Sequence, residues 1–467
     1  MDNFFKLKEN NTTVGTEVVA GITTFVTMAY IIFVNPNILG AAGMDPGAVM
    51  IATCIAAAIG TLLIGFLSNY PFAQAPGMGI NAFFAFTICG SLGYSWQAGL
   101  AAVFLSGIIF IIITLTGLRT IIVNGIPQSL KKAISAGIGL FIAYIGMKNA
   151  GFLKFTIDPG AYLMFGDSPE TATIVSNASA IPAFDFASPT AILAIIGLII
   201  TIILVAKGVK GALLIGIVIS SIIGGIMQFG LGYGVGMSAP GGLSIPSLAP
   251  TFGKFGEGFG QLFHSGEGVG VAIFSVIAVL ISLTLVDMFD TIGTLIGTAS
   301  KAGFLDKDGN LPRANKALLA DAVATSVGAV IGTSTVTTYV ESTAGVAAGG
   351  RTGLTSLVAG ILLLLSLFLS PFLGFVPTGA TAPILIIVGV LMMGSLKEIE
   401  WTDFRIAVPA FFTVILMPLA YSISDGIAGG FIFYVIINVV TGKAKSVSPI
   451  MYIFAALFVI RYFILML

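Results

Sequence analysis

The sequence predicts an all-α polytopic membrane protein whose spans divide into two halves of seven. Three observations predict it. Of 467 residues, 57% are hydrophobic and only 9% charged, with a mean hydropathy of +1.07, whereas ordinary soluble domains carry about 25% charged residues. Apolar runs of the ~20 residues that cross a bilayer begin near residues 18, 48, 97, 133, 189, 211, 269, 317, 353, 379, 404, 426 and 449. Two further segments, PGMGINAFFAFTICG from Pro76 and STVTTYVESTAGVAAGG from Ser334, are too short to cross and rich in Gly or Thr.

Each short segment stands third in its half of the chain, which is an internal-repeat signal. A second echo joins the lysine-bearing connections VAKGVKGALL (205–214) and VVTGKAKSVS (439–448). Interrupted backbone at membrane depth is tolerated only where protein buries it or where it lines a cavity. Paired unusual segments in matching halves are the best sequence pointer to a transporter's substrate site.

Charge and composition narrow the classes. Lysine plus arginine (20) balances aspartate plus glutamate (20), which gives no basic surface for nucleic acid. Cys54 and Cys89 lie in apolar runs and read as packing residues, and the lone His264 in a Gly-rich loop reads as solvated. A metal cluster or cofactor motif is therefore not expected. The polar start MDNFFKLKENNTTVGTEVVAG lacks the pattern of a signal peptide, so the amino terminus is expected in the cytoplasm of a plasma-membrane protein. From there Arg119, Lys131 and Lys132, then Lys207 and Lys210, then Lys301, Lys307, Arg313 and Lys316, then Arg351, then Lys397 and Arg405 recur at every second connection, as the positive-inside rule requires. The connection from about 149 to 188, with Asp158, Asp167, Glu170 and Asp185, falls outside. After residue 400 the runs give one span too many, and the run containing Arg461 is the one expected to be a half-span or to lie at the interface.

The informative residues are the polar ones inside the membrane. SLTLVDMFDTIGTLIG (282–297) carries Asp287 and Asp290, three apart and hence on one helix face, with Thr291 and Thr294 extending the stripe. A charge at the centre of a span costs at least ~2.5–3.5 kcal/mol on insertion scales, so such a residue is a functional hypothesis by default. The bland reading is a carboxylate that hydrogen-bonds helix ends or threonines and fixes packing. Glu341, in TYVESTAG, holds the matching place in the second short segment, and Asn81, in GMGINAFFAF, in the first. Gly77 and Gly79 would permit close approach and positive φ, placing Asn81 at a helix start with free N–H groups; an ordinary Gly-Asn turn is the alternative. Phe83, Phe84 and Phe86 could stack on a planar ligand or simply pack. Thr23, Thr27 and Tyr30 share a face of the first span, where helix–helix hydrogen bonding is the commoner role.

These groups describe a small cavity with carboxylates and an amide but no intramembrane Lys or Arg, which disfavours an anion. A planar neutral molecule with N–H donors suits carboxylates, which accept two parallel N–H bonds. Burial favours the neutral carboxyl, so one group could carry a proton between states; sodium coupling remains open on the same logic.

GITTFVTMAYIIFVNPNIL (21–39), APGMGINAFFAF (75–86), DMFDTIGTLIG (287–297), GTSTVTTYVESTAGVAAGGRTGLTS (332–356) and SPIMYIFAALFVIRY (448–462) together resemble the AzgA-like purine permeases, a branch of the nucleobase-ascorbate (xanthine/uracil permease) superfamily. The resemblance runs essentially end to end. It implies fourteen spans as 7+7 inverted repeats, with short strand-helix segments in spans 3 and 10. It also implies a core domain of spans 1–4 and 8–11 (residues 1–125 and 266–376) and a gate domain of the rest (126–265 and 377–467). Carried over, Asn81, Asp287 and Glu341 contact a purine base, with Phe83 and Thr27 lining it. Asp290 is the neighbouring essential acid, and Glu341 the leading proton carrier. The resemblance implies proton symport, elevator-like movement, a homodimer and a purine substrate; some members of the branch take guanine and hypoxanthine and others adenine, the shared motifs do not separate the two, and guanine or hypoxanthine is the expectation.

Rival classes fit less well. An intramembrane aspartyl protease needs aspartates on separate spans, one in a Gly-x-Gly-Asp context, and Asp287 and Asp290 share one span. No G-x-x-x-x-G-K-[ST] loop supports ATP-driven transport. A channel for a small neutral solute also lines a pore with polar groups and is the less favoured alternative; the paired broken segments, and uptake that saturates rather than rising linearly, would favour a carrier.

Overall fold

The computed structural model describes residues 2–118, 122, 125–157, 180–238, 245–263, 269–307 and 311–466. His264, Arg119, Asp158, Asp167 and Glu170, singled out above, lie outside the described residues. Among the described residues, eleven helices are long and apolar enough to cross a bilayer, and three shorter apolar ones join them: Met78–Ser91, Phe404–Leu419 and Pro449–Tyr462.

The elements in chain order are α1 (Val14–Met28), α2 (Ile31–Gly40), α3 (Pro46–Ser68), β1 (Gln74–Pro76), α4 (Met78–Ala82) continued by a π-helical stretch Phe83–Ser91, α5 (Trp96–Thr116) and α6 (Gln128–Asn149). They continue with the hairpin β2 (Leu153–Ile157) and β3 (Ala180–Phe184), α7 (Pro189–Ala206), α8 (Ala212–Gly225), α9 (Phe255–Leu262), α10 (Val269–Ala302) and α11 (Ala314–Ile331). The last are β4 (Val336–Thr338), α12 (Ser342–Ala347), α13 (Gly353–Leu365), α14 (Thr378–Met392), α15 (Phe404–Leu419), α16 (Ile423–Val440) and α17 (Pro449–Met466). Starts follow capping chemistry. Asp45 accepts the Ala48 N–H at 2.7 Å with Pro46 in the first turn, and Ser188 does the same for Ala191 ahead of Pro189, satisfying donors that the first turn leaves free. Glu17, fully buried, accepts the N–H groups of Arg351, Thr352 and Thr355 and the Thr355 hydroxyl, and so caps α13 from α1.

The helices pack in two groups. In one, α3 lies against α11 and α13, α1 against α12 and α13, and α5 against α10 and α11; in the other, α6 lies against α14 and α15, α15 against α16, and α7 against α8 and α14. The two short segments meet inside the first group. There β1 and β4 pair antiparallel, Gln74 opposite Thr338, Ala75 opposite Thr337 and Pro76 opposite Val336, and all six residues are buried. Small residues make the space. A Cβ on Gly60 of α3 would stand 2.9 Å from Gln74 Oε1 and 3.0 Å from Val336, and one on Gly328 of α11 would stand 3.0 Å from Val336.

One local expectation is corrected. Gly77 has φ −70°, so close approach, not positive φ, explains the glycine: its Cβ would stand 2.9 Å from Thr337 Oγ1. The Arg461 run, expected as a half-span or at the interface, is one of the three shorter apolar helices. It forms the 18-residue α17, about 27 Å long at ~1.5 Å per residue, folded back along α16 so that buried Arg461 pairs with Asp425 at 3.2 Å.

Gly79 marks the crossing of the two groups, since a Cβ there would stand 2.5 Å from Ile138 Cγ2 of α6. A β-branched neighbour is stiff, so Gly79→Ala is expected to force the groups apart at roughly 1–3 kcal/mol. Thermal unfolding of the purified protein should show a lower Tm. An unchanged Tm would mean that this crossing is loosely packed.

Candidate functional site

The strand pair brings the starts of the two short helices together near the middle of the first group. Beyond the ladder, the Gly77 N–H donates to Thr335 O at 3.0 Å, Tyr339 N–H to Ala73 O at 2.9 Å, and the Tyr339 hydroxyl to Pro76 O at 2.6 Å. These bonds tie the two interrupted segments to each other inside the protein, where interrupted backbone is tolerated at membrane depth.

Asn81 is fully buried but sits in the fourth position of α4, where its own N–H already bonds Gly77 O at 2.8 Å. Its N–H is therefore not one of the free donors of a helix start. Its carboxamide spans the two short segments: Nδ2 donates to Pro76 O at 3.3 Å, and Oδ1 accepts from Ser334 Oγ. Phe83 and Phe84 are sealed in the core, with the Phe84 ring against Gly99, so neither offers a free face in this state.

Four carboxylates surround the pair. Asp287, at the centre of the 34-residue α10, is fully buried; Oδ2 accepts from Thr325 Oγ1 at 3.4 Å, and Oδ1 has no hydrogen-bond partner. Asp290, one turn on and half-buried, accepts from Thr337 Oγ1 of β4 at 3.3 Å. Glu341, just after β4 and half-buried, accepts from the Tyr30 hydroxyl at 2.6 Å. Tyr30 reaches it because the first span breaks between α1 and α2. Thr27 is half-buried and spends its hydroxyl mainly on the carbonyls of Thr23 and Thr24 (3.0 and 2.8 Å), with Glu341 O at 3.5 Å.

The fourth is Asp321 of α11, which the sequence reading passed over. It is fully buried, and accepts from Gln74 Nε2 at 3.1 Å, Thr291 Oγ1 at 2.9 Å and Thr338 Oγ1 at 3.4 Å. It ties α10, α11, β1 and β4 to one another. The available signal was a lone acid in KALLADAVATSV, where one Asp among Ala and Thr looks like ordinary helix polarity. Among the described residues, none of the four acids pairs with a lysine or arginine.

The contrast between the two deepest acids is informative. Asp321 has its oxygens occupied; Asp287 keeps one bare. Buried polar atoms are almost always partnered, and an unmet buried group costs about 1–3 kcal/mol, more if charged. Gln74 Oε1 and Thr335 Oγ1, in and beside the same strand pair, are likewise without a partner.

A model of the permease family Xan_ur_permease matches residues 15–429. The chain belongs to this family. As a Xan_ur_permease of the nucleobase-ascorbate transporter superfamily it is a multi-pass membrane transporter and not an enzyme. It is 44% identical to the guanine/hypoxanthine permease PbuG of Bacillus subtilis, over 99% of each chain. It is 40% identical to the adenine permease AdeP of Escherichia coli over 99% of this chain and 95% of that one. It is 36% identical to the nucleobase transporter PlAzg2 of Paenibacillus larvae over 90% and 76%. In fold it is similar to the transmembrane domain of the cyanobacterial bicarbonate transporter BicA, with a TM-score of 0.61 at 16% identity over 89% and 97% of the two chains. The murine anion transporter Slc26a9 in its inward-facing state gives 0.58 at 17% identity over 91% and 68%.

Proposed function

We propose that this permease imports a purine nucleobase, guanine or hypoxanthine, by proton symport. The observation that carries the reading is the unpartnered Asp287 Oδ1 in a buried site whose acids, among the described residues, pair with no lysine or arginine. A carboxylate accepts parallel N–H bonds best. Guanine presents its ring N–H and amino N–H side by side, and hypoxanthine keeps the ring N–H. Adenine sets an acceptor nitrogen beside its amino group, against the carboxylate, which favours the first two; the 40% identity to an adenine permease keeps adenine as the second reading.

In this scheme Asp287 holds the N–H edge, Asn81 and Glu341 contact the base, and Thr27 and Phe83 line it when the site opens. Asp290 supports α10 or takes part in coupling, and Glu341, half-buried against Tyr30, carries the proton. The eleven long helices, the short segments Met78–Ser91 and 332–350, and Phe404–Leu419 make fourteen spans in two inverted repeats, with α17 additional. The antiparallel pairing of β1 with β4 supports the inversion. The packing of α7 on α14 and of α15 on α6 supports matching α7 and α8 with α15 and α16, one helix earlier than the lysine echo suggests. The first packing group is the core and the second the gate, and the core moves like an elevator to expose the site alternately. The amino terminus lies in the cytoplasm of a plasma-membrane protein that dimerises through the gate.

Uptake of labelled hypoxanthine into proteoliposomes tests the reading. Saturable uptake driven by an inward proton gradient and blocked by guanine but not uracil is expected. Blocking by adenine alone would move the chain to the second reading, and no uptake under any gradient would overturn both.

A further inference from the structure

We infer that Tyr421 is the plug of the site's outer mouth, a positioning residue that holds the permease closed on the side opposite its basic connections; this deepens the transporter reading and rests on it. Tyr421 stands in the turn between α15 and α16 with φ 53°, left-handed backbone that a bulky residue rarely adopts. Its ring is held edge-on by Phe86 (centroids 5.6 Å apart), Phe141 (5.4 Å) and Tyr144 (6.1 Å). The Lys148 ammonium lies 4.9 Å from the ring centroid and 3.3 Å from the hydroxyl, and the Tyr421 carbonyl accepts from Thr87 Oγ1 at 3.5 Å.

The partners come from both sides of the moving boundary. Phe141, Tyr144 and Lys148 are on α6 of the gate, as Tyr421 itself is on the gate's α15–α16 turn. Phe86 and Thr87 are on the π-helical continuation of α4, five and six residues beyond Asn81, hence roughly 8 Å along the axis at ~1.5 Å per residue. The cluster therefore closes the space directly above the site. The site's exposed flank is the other one: Asp290 and Glu341 are half-buried, and Val340 beside Glu341 is 56% exposed. Movement of the core past the gate must part Phe86 and Thr87 from Tyr421 before the site can open outward. Edge-on ring pairs favour the closed arrangement, and removing them shifts the two-state balance toward the outward-open one.

The test labels Thr87→Cys, fully buried in this state, with a membrane-impermeant sulfonated maleimide. The background is Cys54→Ala with Cys89→Ala, and the reagent is applied separately to intact cells and to inverted vesicles. Tyr421→Ala is expected to raise the labelling rate from the cell exterior about tenfold or more, from the cytoplasmic face not at all, and Tyr421→Phe is expected to leave it within about twofold. Tyr421→Asn, which accepts left-handed backbone but has no ring, must match the alanine variant, so a turn defect cannot imitate the result. Lys148→Ala should move the rate the same way by less. Unchanged exterior labelling in the Ala and Asn variants, or a rise confined to the cytoplasmic face, would overturn the plug. The readout needs no substrate, so a wrong purine assignment leaves it standing, and its own failure leaves the transport reading intact.

Discussion

Replacing Asp287 with alanine is expected to weaken guanine binding at least about 100-fold while leaving a folded protein of equal or higher Tm. The two halves of that statement come from the same geometry. In the empty protein Asp287 makes one long bond, to Thr325 at 3.4 Å, and buries a bare oxygen; removing an unmet buried carboxylate relieves the protein of a cost. In the complex that oxygen would accept a charge-assisted N–H bond, worth about 1.5–3 kcal/mol, and guanine offers two, which together correspond to about 100-fold or more in affinity. Equilibrium binding of labelled guanine to purified protein, beside a thermal-unfolding scan, checks both halves. Wild-type binding by Asp287→Ala would make the carboxylate a packing device. A collapse of Tm would do so too, because only a group that the empty protein uses can destabilise it when lost.

Much of this site was legible in the sequence because a membrane makes polarity expensive. Asp287 and Asp290 stand out against runs of Leu, Ile and Val, and the Gly- and Thr-rich segments around Asn81 and Glu341 announce themselves by being too short to cross. What periodicity could not give is the pairing. Three-residue strands are too brief to alternate visibly, so nothing in QAP or VTT showed that Gln74 faces Thr338. Asn81 stood out by type, but its place one turn into α4, and its bond to Ser334, depend on where the helix begins. Phe83 was picked as a stacking surface by residue type alone, and packing closes it. Asp321 was missed because its segment is only moderately apolar, with Lys316 and several small residues nearby, and a single acid there carries no contrast. At the carboxyl end, the pairing of buried Arg461 with Asp425 was not legible, because the partners lie 36 residues apart on separate helices.

Asp321 invites the second large effect, and its sign is opposite. Asp321→Leu should lower Tm markedly and abolish gradient-driven uptake, because the carboxylate is fully used. Losing it leaves Thr338 Oγ1, at 3.2 Å, as the remaining acceptor of the Gln74 amide and one amide N–H unmet at a cost of about 1–3 kcal/mol, while Thr291 can turn its hydroxyl back to a carbonyl of its own helix. The asymmetry between losing one partner and losing both gives a sharper test. Gln74→Leu alone leaves an acid short of a donor, and Asp321→Leu alone leaves an amide short of an acceptor; the double variant leaves neither. The double variant should therefore be less destabilised than the sum of the singles by roughly 0.5–3 kcal/mol, the range for residues in one hydrogen-bond network, although its transport stays lost. Simple additivity in the unfolding scan would mean that the strand pair does not depend on this bond. Recovery of uptake in the double variant would mean that Asp321 serves only to hold Gln74, and that α11 contributes no acid to the work of the site.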